Sequence, residues 1–237
     1  MILAGLSAHM SMRADIIPAF VGSNIYERSL EAMTAQIGPT ISALALAVTF
    51  SHCHHRSQPF TPPAANTSFV ANVFLMLGRP LDCSELVQME KLWLLYADHG
   101  LANATAAFLH AASTRADPLS CLISALSSGY GPLHGGAIDM VYHMLLRVRH
   151  KRNVPALIDG VKRGREKLYG FGHRVYDTVD PRAALVKEVL EELKTEECWE
   201  MEIAEEIERC ASEDEWFQSR DIRMNVDLFG SFVYTAL

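Results

Sequence analysis

The stretch GYGPLHGGAIDM, residues 129–140, packs four glycines, one proline and one histidine into twelve positions and then runs into an apolar, helix-prone segment. Glycine admits backbone conformations closed to other residues. The pattern therefore predicts a sharp loop, eased by Gly129, Gly131, Gly135 and Gly136, that holds His134 ahead of a helix from Ala137 to His150. Outward from that loop the chain reads as helices. Leu30, Met33, Ile37, Ile41, Leu44 and Val48 recur at steps of three and four, the mark of a buried helical stripe, and Pro39 predicts a kink or break within it. The three prolines of SQPFTPPAAN, 57–66, require a loop. Helical spacing resumes over Ser68–Leu77, and again from Ser84, read as an N-cap, through Leu86, Met89, Trp93 and Tyr96. The alanine-rich ADHGLANATAAFLHAAST that follows suits a helix crossing the centre of the body. A short helix is expected from Asn153 to Arg165, with Pro155 in its first turn, and a longer one from Pro181 onward through Leu185, Val189, Leu190 and Leu193. Alternating β patterns are scarce, so the expected fold class is all-α.

Composition limits what such a chain does. With 237 residues and 49% apolar content it can bury a core as one large domain, or as a main body with a smaller one. Net charge is -7, and thirteen of the 28 acidic residues fall between Glu188 and Glu215, the signature of a solvated helix face. No basic stripe points to nucleic acid or an anionic membrane. The apolar run from Ile41 to Phe50 is too short to span a bilayer. Five scattered cysteines without a CxxC fit reduced thiols in an intracellular, cytoplasmic setting, and the opening MILAGLSAHMSMRAD lacks the features of a signal peptide or organellar presequence.

Most of the ten histidines need no function. The group His52, Cys53, His54 and His55 lacks the spacing of metal ligands on one helix face, and no metal is expected. His99, His134 and His173 stand apart because each lies beside glycine, in Asp98-His99-Gly100, Leu133-His134-Gly135 and Gly172-His173. A histidine so placed can point from a turn into a cleft.

In combination these segments resemble the citrate synthase family. GPLHGGA at 131–137 and GFGHRVYDTVDPRA at 170–183 are similar to its two histidine loops, ADHGLANAT at 97–105 to its ADHE-type segment, QPFTPP at 58–63 to its proline-bearing connection, and NVDLFGS at 225–231 to its NVDFYSG-type motif. The resemblance implies a helical fold with a large domain over 1–135, a small domain over 136–220 that closes on the cleft, and a return segment over 221–237. It implies condensation of an acyl-CoA with oxaloacetate, followed by thioester hydrolysis. Asp227 would be the general base, His134 the donor to the thioester carbonyl, and His173 the electrophile at the keto oxygen. His99 and Arg182 would bind oxaloacetate, while Gly170, Phe171, Gly172 and Arg174 would line the acyl-CoA site. Acyl-CoA is then a substrate, and no cofactor is permanently bound. Pre-placed donors suit such chemistry because no side chain approaches the pKa of the carbon acid, and each donor at an oxyanion is worth about 3 kcal/mol.

Two departures qualify the resemblance. Family members are expected to begin before Met1 and to continue beyond Leu237, in a tail that carries two further arginines for oxaloacetate. Asp177 stands where the family has Lys or Arg near the CoA phosphates, with Lys162, Arg163, Arg165, Lys167 or Arg174 as compensating charges. The expected function is an alkylcitrate synthase of the kind found in fungal biosynthetic pathways. The alternatives are an impaired or half-site subunit that needs a partner chain, and a CoA-binding regulator without chemistry. A homodimer, or a heterodimer with a homologue, is expected, with the 30–48 stripe either at that interface or in the core.

Overall fold

The computed structural model describes residues 29–35, 37–97, 99–193 and 199–233. The leader stretch, Glu27, the side chain of Met33, Glu196 and Glu197 lie outside the described residues. Among the described residues the secondary structure is helical, and the single β feature is an isolated antiparallel bridge between Phe171 and Met224. The fold is all-α, as the spacing predicts.

The chain divides into two compact units, residues 1–89 with 99–129, and residues 90–98 with 130–237. The first holds α1 (Leu30–Thr34), α2 (Ile37–Arg56), α3 (Phe69–Met76), the start of α4 (Cys83–Ala97), α5 (Asn103–Ala112) and α6 (Pro118–Gly129). The helix break expected at Pro39 does not fall there: α1 ends at Thr34, α2 begins at Ile37, and Pro39 sits in the first turn of α2, where a missing N–H costs nothing. The start of α4 is also earlier than Ser84. Asp82 and Glu85 form a reciprocal capping box, with Glu85 N donating to Asp82 Oδ1 and Asp82 N to Glu85 Oε2, both at 2.9 Å. Arg79 then holds Glu85 through both carboxylate oxygens.

Two expectations for this unit are overturned. The alanine-rich helix α5 packs along α6, but none of its residues is buried, so it does not cross a centre. Alanine allows close approach yet brings little apolar area of its own to a core. The stripe of α1 and α2 is likewise not buried within the chain, with Ile37 56% and Ile41 45% exposed. The residues of α2 that turn inward are Ala43, Ala45, Thr49 and Cys53, with Cys53 directed to the Met76 carbonyl.

The second unit is built on α7 (Ala137–Val148), α8 (Val154–Lys162), α9 (Pro181–Glu192), α10 (Trp199–Glu213), α11 (Glu215–Gln218) and α12 (Asp227–Val233). α12 is its centre. Every residue from Leu228 to Val233 is buried, and α12 packs against α7, α9 and α10. A helix apolar on all sides has to lie inside, and each fully buried Leu or Phe contributes about 1.5–3 kcal/mol. α10 turns Ile203, Ala204, Ile207 and Ala211 inward, while outward glutamates engage cations, Glu208 with Lys187 and Glu206 with Arg209 and Lys151.

Candidate active site

The first histidine loop owes its shape to crowding rather than to unusual dihedrals. The Gly131 carbonyl accepts from His134 N at 2.9 Å and Gly136 N at 3.2 Å, and the His134 carbonyl accepts from Ala137 N at 2.8 Å. These turns lead directly into α7, capped by Gly136 with an ordinary φ of -68°. A methyl group on Gly136 would lie 2.3 Å from the Tyr130 carbonyl oxygen and 2.9 Å from that of Gly131, so only glycine fits. Gly129 plays no such part. It closes α6, and a methyl there would meet Ala104 Cβ at an ordinary 3.6 Å.

The second loop uses glycine differently. Gly170 and Gly172 take φ of +81° and +79°, a region that disfavours side chains. Gly172 N donates to the Arg223 carbonyl at 2.7 Å and Asn225 N to the Gly170 carbonyl at 3.0 Å, clamping the loop to residues 223–225. Beyond the clamp, His173 Nδ1 accepts from the amides of Val175 at 3.0 Å and Tyr176 at 3.2 Å, and the Tyr176 ring lies beside the imidazole, tilted by 31° with centroids 4.6 Å apart. A nitrogen that accepts two N–H groups carries no proton, so in the neutral ring the proton sits on Nε2. The Phe171 side chain is buried, whereas Arg174 and Asp177 are exposed.

Between the loop and α12 lies a carboxylate absent from the expected site. Asp180, 1% exposed, caps α9 through the Arg182 amide at 3.0 Å. It also binds the guanidinium of Arg182 through Nε at 3.1 Å and Nη2 at 2.8 Å, and accepts from Val226 N at 3.2 Å. Burial pushes its carboxyl up, but the Arg182 guanidinium and these amides outweigh that and hold it below the usual carboxylate range. The Arg182 guanidinium also lies over the Tyr96 ring at 5.8 Å. Tyr96 in turn has its hydroxyl where a methyl on Gly230 would come within 2.6 Å. With one edge on Asp180 and one face on Tyr96, Arg182 keeps its Nη1 end for any further anion.

Asp227 opens α12, and its amide donates to Asn225 Oδ1 at 3.0 Å. Burial pushes its carboxyl up to about 6, an effect that the Arg182 cation opposes and the Asp180 anion reinforces. The structure thus couples Arg182 and Asp227 through charge, and ties the backbone just ahead of His173 by hydrogen bonds to residues 223–225, just before Asp227. His134 lies in the loop that leads into α7, the helix that packs against α12. His99, half-buried beside Gly100 at φ +64°, belongs to the first unit. Sequence reasoning passed over Asp180, Tyr96 and Asn225. Of these, Asp180 carried a readable signal, an Asp before Pro181 at the start of a helix.

The description "Citrate synthase, C-terminal domain" matches residues 2–237. The chain belongs to the citrate synthase family. It is 43% identical over 245 residues to the citrate synthase-like protein oryE of Aspergillus oryzae, covering all of this chain and 55% of that protein. It is 38% identical over 244 residues to the alkylcitrate synthase phiJ of a fungal species, covering all of this chain and 53% of that one. Among solved structures, the citrate synthase of Thermoplasma acidophilum in ternary complex with carboxymethyl coenzyme A and oxaloacetate matches with a TM-score of 0.82 at 28% identity, covering 99% of this chain and 61% of that chain. The chain spans about half the length of the curated relatives it matches.

Two predictions follow from this geometry. In thermal melts Gly136→Ala destabilises this citrate synthase family member by more than about 2 kcal/mol through overpacking, whereas Gly129→Ala costs nothing or gains up to about 1 kcal/mol; equal effects would show that crowding does not shape the loop. For Asp227, the raised value favours the protonated form in the folded state, so this contribution to stability is complete below about pH 4 and is lost as pH rises through about 6. The loss is on the order of 3 kcal/mol. Asp227→Asn should therefore be more stable than the parent at pH 8, with the difference fading toward pH 4 in denaturant titrations.

Proposed function

We propose that this chain carries the reacting groups of an acyl-CoA:oxaloacetate C-acyltransferase, and that its product is an alkylcitrate. The observation that carries this reading is the coupling of Asp227, a carboxyl pushed up to about 6, to the loop that presents His173 with its Nδ1 capped by two amides. A carboxylate of that basicity suits proton abstraction better than an ordinary aspartate does, since general bases work best with a pKa near the operating pH.

In the proposed reaction Asp227 takes a proton from the carbon next to the thioester carbonyl, and His134 stabilises the enolate oxygen by hydrogen bonding. The enolate carbon forms a bond to the keto carbon of oxaloacetate, whose oxygen receives the Nε2 proton of His173. Water then adds to the thioester carbonyl, coenzyme A leaves as the free thiol, and the new carboxyl group remains on the product. The Nη1 end of Arg182 holds oxaloacetate, while Gly170, Phe171, Gly172 and Arg174 border the acyl-CoA. The alkylcitrate synthase phiJ among the relatives supports a chain longer than acetyl.

One observation favours a second reading, that of a half-site chain working with a partner. Arg182 is already paired with Asp180, so a bound dicarboxylate would add negative charge that this arginine does not neutralise. Further cations must then come from elsewhere. The exposed Ile37 and Ile41 line an apolar groove with Leu44, Phe108, Pro118 and Leu122, which suits pairing with a second copy or a homologue.

Two measurements test these readings. Oxaloacetate-dependent release of coenzyme A thiol is followed across acyl chains from acetyl to octanoyl, with and without a full-length homologue. Turnover should fall by about 10² or more in His134→Ala and in Asp227→Asn, and kcat/KM should decline below about pH 6 as Asp227 protonates. Normal turnover in both variants would overturn the assignment, and release only with the homologue would establish the half-site reading. In sedimentation, Ile41→Asp should convert a dimer to a monomer; an unchanged mass would remove the stripe from the interface.

A further inference from the structure

We propose that Asn225 is a positioning residue that sets the loop of His173 in register with the base Asp227, an inference that rests on the roles given to those two residues above. Asn225 is buried, and its amide is engaged at both ends. Nδ2 donates to the carbonyl of Gly172, the residue before His173, at 2.8 Å, while Oδ1 accepts from the backbone amide of Asp227 at 3.0 Å. One planar group, two hydrogen bonds long, thus spans from the peptide that bears the electrophile to the peptide that bears the base.

Folding alone does not call for this side chain. The backbone pair of Gly172 N to Arg223 O and Asn225 N to Gly170 O already closes the bridge between the two segments. The side chain adds bonds to the neighbour of His173 and to Asp227 itself. The need for it follows from Gly172: it sits at positive φ and a methyl on it would touch nothing, so the packing that holds Gly170 against Leu228 and buries Phe171 does not extend to the residue just ahead of His173. A displacement of about 1 Å at a reacting group costs about a hundredfold in rate. The polarity of the tether is also specific. A carboxylate at 225 would keep the bond to the Asp227 amide but set an acceptor against the Gly172 carbonyl, and alanine would leave both backbone groups without this partner.

The test uses protein labelled with 15N in its histidines. Long-range proton–nitrogen spectra report the tautomer of His173, and His173→Gln assigns its signals. The parent should show the single Nε2–H form. Asn225→Asp, which preserves size and the link to Asp227, and Asn225→Ala should both move the His173 ring signals away from their parent positions, and kcat for thiol release should fall about a hundredfold with a much smaller change in KM for oxaloacetate. An unchanged His173 spectrum in Asn225→Asp would overturn the proposal, whether or not Asn225→Ala folds. If neither variant folds, the parent decides, because the side-chain amide protons of Asn225 must then exchange slowly with solvent, and rapid exchange overturns the tether. The spectra need no turnover. A parent without thiol release would defeat the proposed reaction while leaving the positioning of His173 to be judged on its own signals.

Discussion

The second unit depends on a buried carboxylate. Asp180 caps α9, grips the guanidinium two residues on, receives the amide of Val226 just before α12, and sends its own amide to the Met224 carbonyl at 3.1 Å. Two segments distant in sequence, residues 180–182 and 224–226, meet at this one residue. Removing one member of such a buried ion pair typically costs about 3–5 kcal/mol, because the other charge is left without compensation. The same bonds that hold the fold also fix where Arg182 points and where α12 begins.

That arrangement explains why Asp227 differs from Asp180 although both are shielded and both lie near Arg182. Asp180 takes the guanidinium edge-on, with two direct bonds, and is held below the usual range. Asp227 feels the same cation only at a distance, adds the repulsion of Asp180, and loses solvent by opening a helix that is buried from Leu228 to Val233. A helix N-terminus favours an anion by about 0.3–1 kcal/mol. Burial here works in the other direction with on the order of 3 kcal/mol, so desolvation wins. The ion pair that stabilises the unit thereby leaves a second carboxyl basic.

Local rules made much of the fold legible. The 3.6-residue spacing located α7, α8 and α9, and Pro155 and Pro181 marked their starts, because the signals for these helices lie within a few residues of one another. The stripe of α2 shows the limit of the same rule. Periodicity states that one face is apolar, not which surface covers it, and in this chain the inward face is the one with Ala43, Ala45 and Thr49. The candidate site divides along similar lines. His134, His173, Arg182 and Asp227 stand in recognisable segments, while Tyr96 and Asn225 gain their roles from partners 53 to 86 positions away, which no local pattern encodes.

Glycine acts in the two histidine loops by different means. At Gly136 the requirement is space: two carbonyl oxygens occupy the volume of a side chain, and the loop is rigid because it is full. At Gly172 the requirement is handedness, with open space around it, and the loop is held by hydrogen bonds instead. The two solutions have different consequences for His134 and His173. Packing fixes a position without specifying a protonation state, whereas the amides of Val175 and Tyr176 fix both the imidazole plane and the nitrogen that carries the proton. In the proposed reaction His173 hands over a proton in a defined direction, and the two amides on Nδ1 are support of the second kind.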